Sequence, residues 1–252
     1  MKRLIAIAAA LLAWIAPIAH ATTYSTDASD LWFNSHEPGW GVNVIQQDNV
    51  LFLTLFVYGP NSQPVWYVGP ALTATAAGAV SYVGDLYQTN GPWLGGPFDP
   101  TAVTNRKVGI ATFTLDTIGT ATFVYTVDGV SVTKQVERQT WRINDLNGSY
   151  LGSVVGTNSG CGSGTDGHTE FNVSFTITQT DGAFTLLDGA SCNYTGTYSQ
   201  SGRMGTISLS GPGSCGTFDG VEVEGSLTGL TMRLQVKNGA CVLQGGLSAT
   251  RR

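Results

Sequence analysis

The chain is 252 residues long, with 12 basic against 17 acidic side chains, a formal charge of -5, and only 12% of its residues charged. That balance argues against binding to nucleic acid or to anionic lipid headgroups. Its 33 glycines and abundant Thr, Ser and Asn disfavour helices and suit strands and turns, so an all-β chain is expected.

The first element reads as a leader. Lys2 and Arg3 precede an apolar run from Leu4 to Ile18, and Ala19-His20-Ala21 follows as a small-residue cut, the order of a secretory signal peptide. The run is shorter than the roughly 20 residues a membrane-spanning helix needs, and no later segment approaches that length, so no span is expected in the mature chain. Cleavage after Ala21 takes the formal charge to -7 and predicts a secreted or periplasmic protein starting at Thr22. No cysteine stands at the cut, which argues against a lipid anchor there.

Composition then divides the chain near residue 143. The mature tryptophans Trp32, Trp40, Trp66, Trp93 and Trp141 precede that point, and all four cysteines follow it. This predicts a Trp-rich β-domain over 22–143 and a Cys-containing β-domain over 144–252, one closing its core with aromatic bulk and the other with covalent staples. In the first, turn signals at 47–49, 59–63, 84–85, 116–119 and 128–129 separate about eight strands, with a long Gly/Pro-rich loop from Thr89 to Thr101. Val50 to Tyr58 is apolar on both alternating sets and reads as buried on both faces. Ala121, Phe123, Tyr125 and Val127 alternate with polar or smaller residues, and Asp128-Gly129 then marks a tight hairpin.

The second half repeats the style. Phe171, Val173, Phe175 and Ile177 share one face of a strand, as do Met232, Leu234 and Val236, and Asn238-Gly239 signals a hairpin into the last strand. The expected architecture is two consecutive antiparallel meander barrels or sandwiches, the second stapled by disulfides. In an up-and-down meander the four cysteines fall at one end of the barrel. Closure sets the first strand beside the last, which favours Cys161 with Cys241; the hairpin around Ser201-Gly202 favours Cys192 with Cys215. Zinc is the competing use, but no C-x-x-C knuckle occurs and an oxidising compartment favours disulfides.

The densest functional candidate is Trp32-Phe33-Asn34-Ser35-His36-Glu37-Pro38-Gly39-Trp40-Gly41. Aromatic rings beside hydrogen-bonding groups suit a ligand with an apolar face and polar edges, such as a glycan or a small apolar molecule. Trp32, Phe33, Asn34, Glu37 and Trp40, with Trp66, Tyr67 and Trp93, are therefore the candidate ligand-binding residues. The competing account makes the segment a turn whose tryptophans plug the barrel.

This segment resembles the opening of a family of secreted Gram-negative bacterial β-proteins, a Trp-aromatic-Asn-x-x-Glu-x-Gly-Trp-Gly stretch. Pro64-Val65-Trp66-Tyr67 and Tyr125 to Val130 are similar to that module's later landmarks, and Gly196 to Gly205 resembles a motif of its four-cysteine companion domain. The resemblance implies architecture and export, and no activity. A shorter likeness, the three residues Trp32-Phe33-Asn34, is to the first strand of avidin-type barrels, which implies a small ligand inside the barrel and cannot support biotin.

There is no Gly-x-Ser-x-Gly elbow, and His36-Glu37 runs into Pro-Gly-Trp, so it is no zincin helix. Asp166, His168 and Glu170 alternate in a Gly-rich loop that reads as solvated surface. No cofactor or metal is implied. Three readings follow: a non-catalytic binding protein using the aromatic end of the first domain; a structural envelope component or inhibitor acting on an envelope protein through its loops; and a secreted hydrolase pairing Glu37 with Asp85 or Asp99.

Overall fold

A computed structural model describes residues 26–252 except 77, 190 and 191. The leader expected over residues 1–21 lies outside the described residues. The chain forms two closed antiparallel barrels of eight strands each, with strand order following sequence order in both. The first contains β1 (Asp30–Phe33), β2 (Gly41–Gln47), β3 (Val50–Tyr58), β4 (Pro64–Ala74), β5 (Ser81–Asn90), β6 (Thr104–Leu115), β7 (Thr120–Val127) and β8 (Val130–Arg138). The second contains β9 (Gly148–Ser159), β10 (Gly167–Thr180), β11 (Ala183–Asp188), β12 (Asn193–Ser201), β13 (Met204–Ser210), β14 (Thr217–Gly225), β15 (Gly229–Asn238) and β16 (Cys241–Arg251).

Alternation sets the two faces of each strand. In β3, Leu51, Leu53 and Leu55 fill the first barrel while Phe52 and Phe56 face out and are two-fifths exposed. The both-faces-buried reading of this strand is therefore corrected: among the described residues nothing covers the outer side of this wall. Trp32, fully buried, stacks edge-on against Phe113 at 5.2 Å and donates Nε1–H to the Ala28 carbonyl at 2.9 Å. Gly84 and Asp85 are no turn but the middle of β5. A Cβ on Gly84 would sit 2.4 Å from the Ala71 carbonyl oxygen, so the glycine permits close approach at the irregular β4–β5 pairing. Asp128 and Gly129 make the expected two-residue hairpin, both with positive φ (49° and 84°) between paired Val127 and Val130.

The second barrel buries the inward set Tyr150, Phe175, Ile177, Met232 and Leu234, among others, and β9 pairs with both β10 and β16 to close it. Disulfides join Cys161 to Cys241 and Cys192 to Cys215, as the meander implied. The first clamps the closing seam just beyond the Ser159–Val242 pair. The last hairpin is one residue out of the expected place. Asn238 pairs with Cys241, so the turn is Gly239-Ala240 with Gly239 at φ +61°, while Asn238 caps Ser214 through its side chain.

The ends of the barrels away from the disulfides meet at a polar junction. Arg138, at the end of β8, is buried and donates to the carbonyls of Ile118 (2.7 Å) and Ser29 (3.2 Å) and to Asp30 Oδ2 (3.2 Å); its guanidinium lies 4.5 Å from the Trp32 ring centroid. Asp30 Oδ2 also accepts the backbone N–H of Arg203 (2.9 Å), from the β12–β13 turn of the second barrel. The Arg203 guanidinium bridges Asp27 (2.9 Å) and Glu224 (2.6 Å), and Gly202 N–H donates to Thr140 Oγ1 (2.8 Å). The Gly196-to-Gly205 motif thus supplies the turn that docks one barrel on the other.

Candidate functional site at the mouth of the first barrel

The end of the first barrel opposite the junction carries the connections 34–40, 59–63, 91–103 and 128–129. Segment 34–40 folds back on itself because Asn34 Oδ1 accepts His36 N–H (2.9 Å) and the Asn34 carbonyl accepts Glu37 N–H (3.0 Å), an Asx-type turn. Gly39, at φ +106°, lies against the Tyr58 phenol, where a side chain would not fit the backbone. This turn carries Glu37 and Trp40 over the barrel opening.

Lys134 meets them from inside. It pairs across β7–β8 with buried Phe123 and so projects inward, and its ammonium donates to both Glu37 oxygens at 2.9 and 2.7 Å. Trp40 Nε1 donates to Glu37 Oε2 at 3.1 Å, and the Lys134 ammonium stands 5.8 Å from the Trp40 ring centroid. Tyr125, two residues beyond Phe123 on the same face, holds its ring 5.2 Å from Phe123. Tyr67 and Tyr125 pack against the upper core with Trp40 and are half-buried.

The electrostatics follow from this packing. The Lys134 hydrogen bond holds the Glu37 carboxyl below its ordinary value, partial burial opposes this, and the Trp40 N–H adds to the lowering. Burial pushes the Tyr125 phenol up, and the charges of Tyr67 and Glu37 reinforce it. Tyr67 is likewise raised, by burial first and then by Asp128, against the opposing Arg106. At neutral pH the mouth therefore presents an ionised carboxylate, an ammonium and two neutral phenols among aromatic faces.

Of the candidate residues, the structure joins Glu37 and Trp40 by a hydrogen bond, and Tyr67 packs against the same core as Trp40. Trp32 is core and fully buried, which corrects its assignment: it stands opposite buried Val42 and Arg138, so the register of β1 turns it into the barrel at the junction end. Asn34 closes the β1–β8 seam by donating to the Gln135 carbonyl at 3.1 Å, where only two residue pairs join the strands, and Phe33 lines a shallow recess of about 210 Å³ outside that seam. Trp66 faces outward on β4, half exposed, away from the mouth. Trp93 is 80% exposed in the 91–103 connection, beside exposed Leu94 and Phe98. Lys134 and Tyr125 were not among the candidates. The signal for Lys134 was legible: once the hairpin fixes register, it is the charge on the inward set Val132, Lys134, Val136.

A larger concavity of about 1230 Å³ lies on the outer wall of the second barrel, along β14, β15, β16 and β9. Its lining is polar and aliphatic, with Asp27 and Glu224 paired to Arg203 and Glu222 to Arg233 at 3.5 Å, and it offers no aromatic face, whereas the first-barrel mouth carries Trp40, Tyr67 and Tyr125 and is the better candidate for a stacking ligand. His168 and Glu170 approach to 3.7 Å on the surface, while Asp166 accepts the Cys161 N–H. Among the described residues no cluster of three or more His, Cys, Asp or Glu could hold a metal ion, and no helix is long and apolar enough to cross a membrane. No protein-family model and no curated protein sequence matches the chain.

Proposed function

We propose that this is an exported binding protein whose ligand seats at the mouth of the first barrel, stacking on Trp40 with Tyr67 and Tyr125 around it and oriented by Glu37 and Lys134. The carrying observation is a carboxylate fixed by Lys134 and the Trp40 N–H at the end of the barrel where half-buried Trp40, Tyr67 and Tyr125 pack on the core. Eight-stranded barrels accommodate one small ligand at such a position. Hydroxyl-bearing ligands, a glycan terminus above all, suit the set better than a wholly apolar molecule, because phenols, carboxylate and ammonium offer both donors and acceptors. The two disulfides are compatible with an oxidising compartment, which supports secretion or a periplasmic residence after cleavage at Ala21.

The three carboxyls of the hydrolase reading give it no support. Asp85 is held down by Lys107 and Asp99 by the Thr101 hydroxyl and N–H, as Glu37 is by Lys134, whereas protonating a leaving group calls for a raised carboxyl. Exposed Trp93 and Leu94 favour, as a second reading, contact with an envelope protein through the 91–103 loop. Fluorescence titration of the mature protein against a glycan panel and a panel of small apolar molecules tests the first reading. Binding is expected to fall at least tenfold in Trp40→Ala and Tyr67→Ala and to survive Trp93→Ala. A ligand whose affinity depends on Trp93 and ignores Trp40 would move the function to the loop.

A further inference from the structure

We propose that the outer wall formed by β2, β3 and β4 of the first barrel is the face on which two copies of this chain dimerise. Between Trp40 and Gly84 the only acidic or basic residue is Asp48, at the tip of the β2–β3 turn. The walls that a barrel shows to water ordinarily carry polar or charged side chains at every second position. Here the outward set has no charge and, beside polar Asn43, Gln47 and Thr54, includes Ile45 on β2, Phe52, Phe56 and Tyr58 on β3, and Trp66 on β4, these five each between 41% and 60% exposed.

Register makes these residues one patch. Ile45 stands opposite Phe52 across β2–β3, and Phe56 stands opposite Trp66 across β3–β4, with Thr54 between Asn43 and Val68 in the row separating them. Each aromatic side chain can bury about 150–250 Å², so the four half-exposed rings contribute on the order of 400 Å² of apolar surface. Ile45, Val68 and the intervening Thr54 and Asn43 extend the patch toward the roughly 800 Å² per partner that a standard interface covers. Aromatic enrichment with charge depletion is the composition of an interface core.

A second copy fits this wall better than another occupant. The wall is neutral, so it offers no charge to steer a charged partner, whereas an isologous pairing requires only that a patch tolerate itself. Both barrels are closed, so no strand edge is free for pairing, and association must proceed wall to wall through side chains, as sheets pack in a sandwich. The patch meets the mouth turn at its upper edge, where Tyr58 lies against Gly39, while Ile45 and Phe52 sit toward the opposite end of the barrel, so the pairing leaves the barrel opening itself uncovered.

Sedimentation velocity of the mature two-barrel protein from about 1 to 100 μM tests the assignment, with concentrations chosen to bracket micromolar dimers. The wild type is expected to sediment as a dimer, and Phe52→Lys and Trp66→Lys to weaken association at least tenfold with unchanged circular dichroism and melting midpoint. Leu151→Lys, an equivalent outward apolar position on the second barrel, is expected to leave the dimer intact. A wild type that stays monomeric to 100 μM overturns the proposal. Binding of that monomer to insoluble polysaccharide or to neutral vesicles, lost in Phe52→Lys, would give the wall to that occupant instead. A dimer unaffected by both wall variants also overturns it. Ligand titration of Trp66→Lys at the mouth reads the binding-site proposal separately.

Discussion

Gly202 offers a direct measurement of how tightly the barrels are docked. A Cβ at this position would lie 2.1 Å from Asp30 Oδ2 and 2.7 Å from Arg138 Cβ, both belonging to the first barrel. Neither neighbour can yield, because Arg138 is buried and held by Ile118, Ser29 and Asp30, while Asp30 also accepts the Arg203 N–H. In Gly202→Ala the barrels must therefore separate by about 1 Å to restore ordinary contact. Two terms act: alanine at φ +59° costs about 1 kcal/mol, and overpacking costs about 1–3 kcal/mol. Gly239 isolates the first term, since it has φ +61° and nothing within 4 Å of its would-be Cβ. Gly202→Ala should thus be less stable than Gly239→Ala by about 1–3 kcal/mol, or about 2–12 °C in melting midpoint for a protein of this size. Circular dichroism melts read the difference, and limited proteolysis of the 139–147 connection reads the separation. Coincident midpoints and equal cleavage of the two variants would refute a close-packed junction.

Replacing Arg138 by Met should cost about 3 kcal/mol, the low end for a broken buried pair, because Asp30 keeps the Arg203 and Leu31 N–H donors; urea unfolding checks this. The two disulfides span 80 and 23 residues, so loop-closure entropy makes Cys161–Cys241 worth about 1 kcal/mol more than Cys192–Cys215. Paired Cys→Ser variants should show that order in denaturation midpoints. For Glu37 the folded carboxyl is depressed, so its contact with Lys134 is fully present above the ordinary glutamate value and is lost as pH falls through the lower folded value. Trp40 emission should change on acidification below about pH 4, and in Glu37→Gln that transition should vanish. A wild-type titration with no change in that range would contradict the pairing.

Much of the architecture was legible because a strand's period of two is local. Ala121, Phe123 and Tyr125 face inward as their alternation implies, Asp128-Gly129 turns the chain, and barrel closure pairs Cys161 with Cys241 across the seam. In β3 the period was masked, since Phe52 and Phe56 are as apolar as Leu51 and Leu53, and only closure of the wall decides which set meets the core. The candidate site divides in the same way. Glu37 and Trp40 are neighbours in sequence and could be proposed together, but Lys134 lies 97 residues from Glu37 and reaches it only because β8 returns beside β1. The alternation of side chains is written into each segment. Which tryptophan is core, which faces the mouth and which lies on the outer wall depends on register and closure, because these long-range pairings, rather than any local propensity, decide what each face of a strand meets.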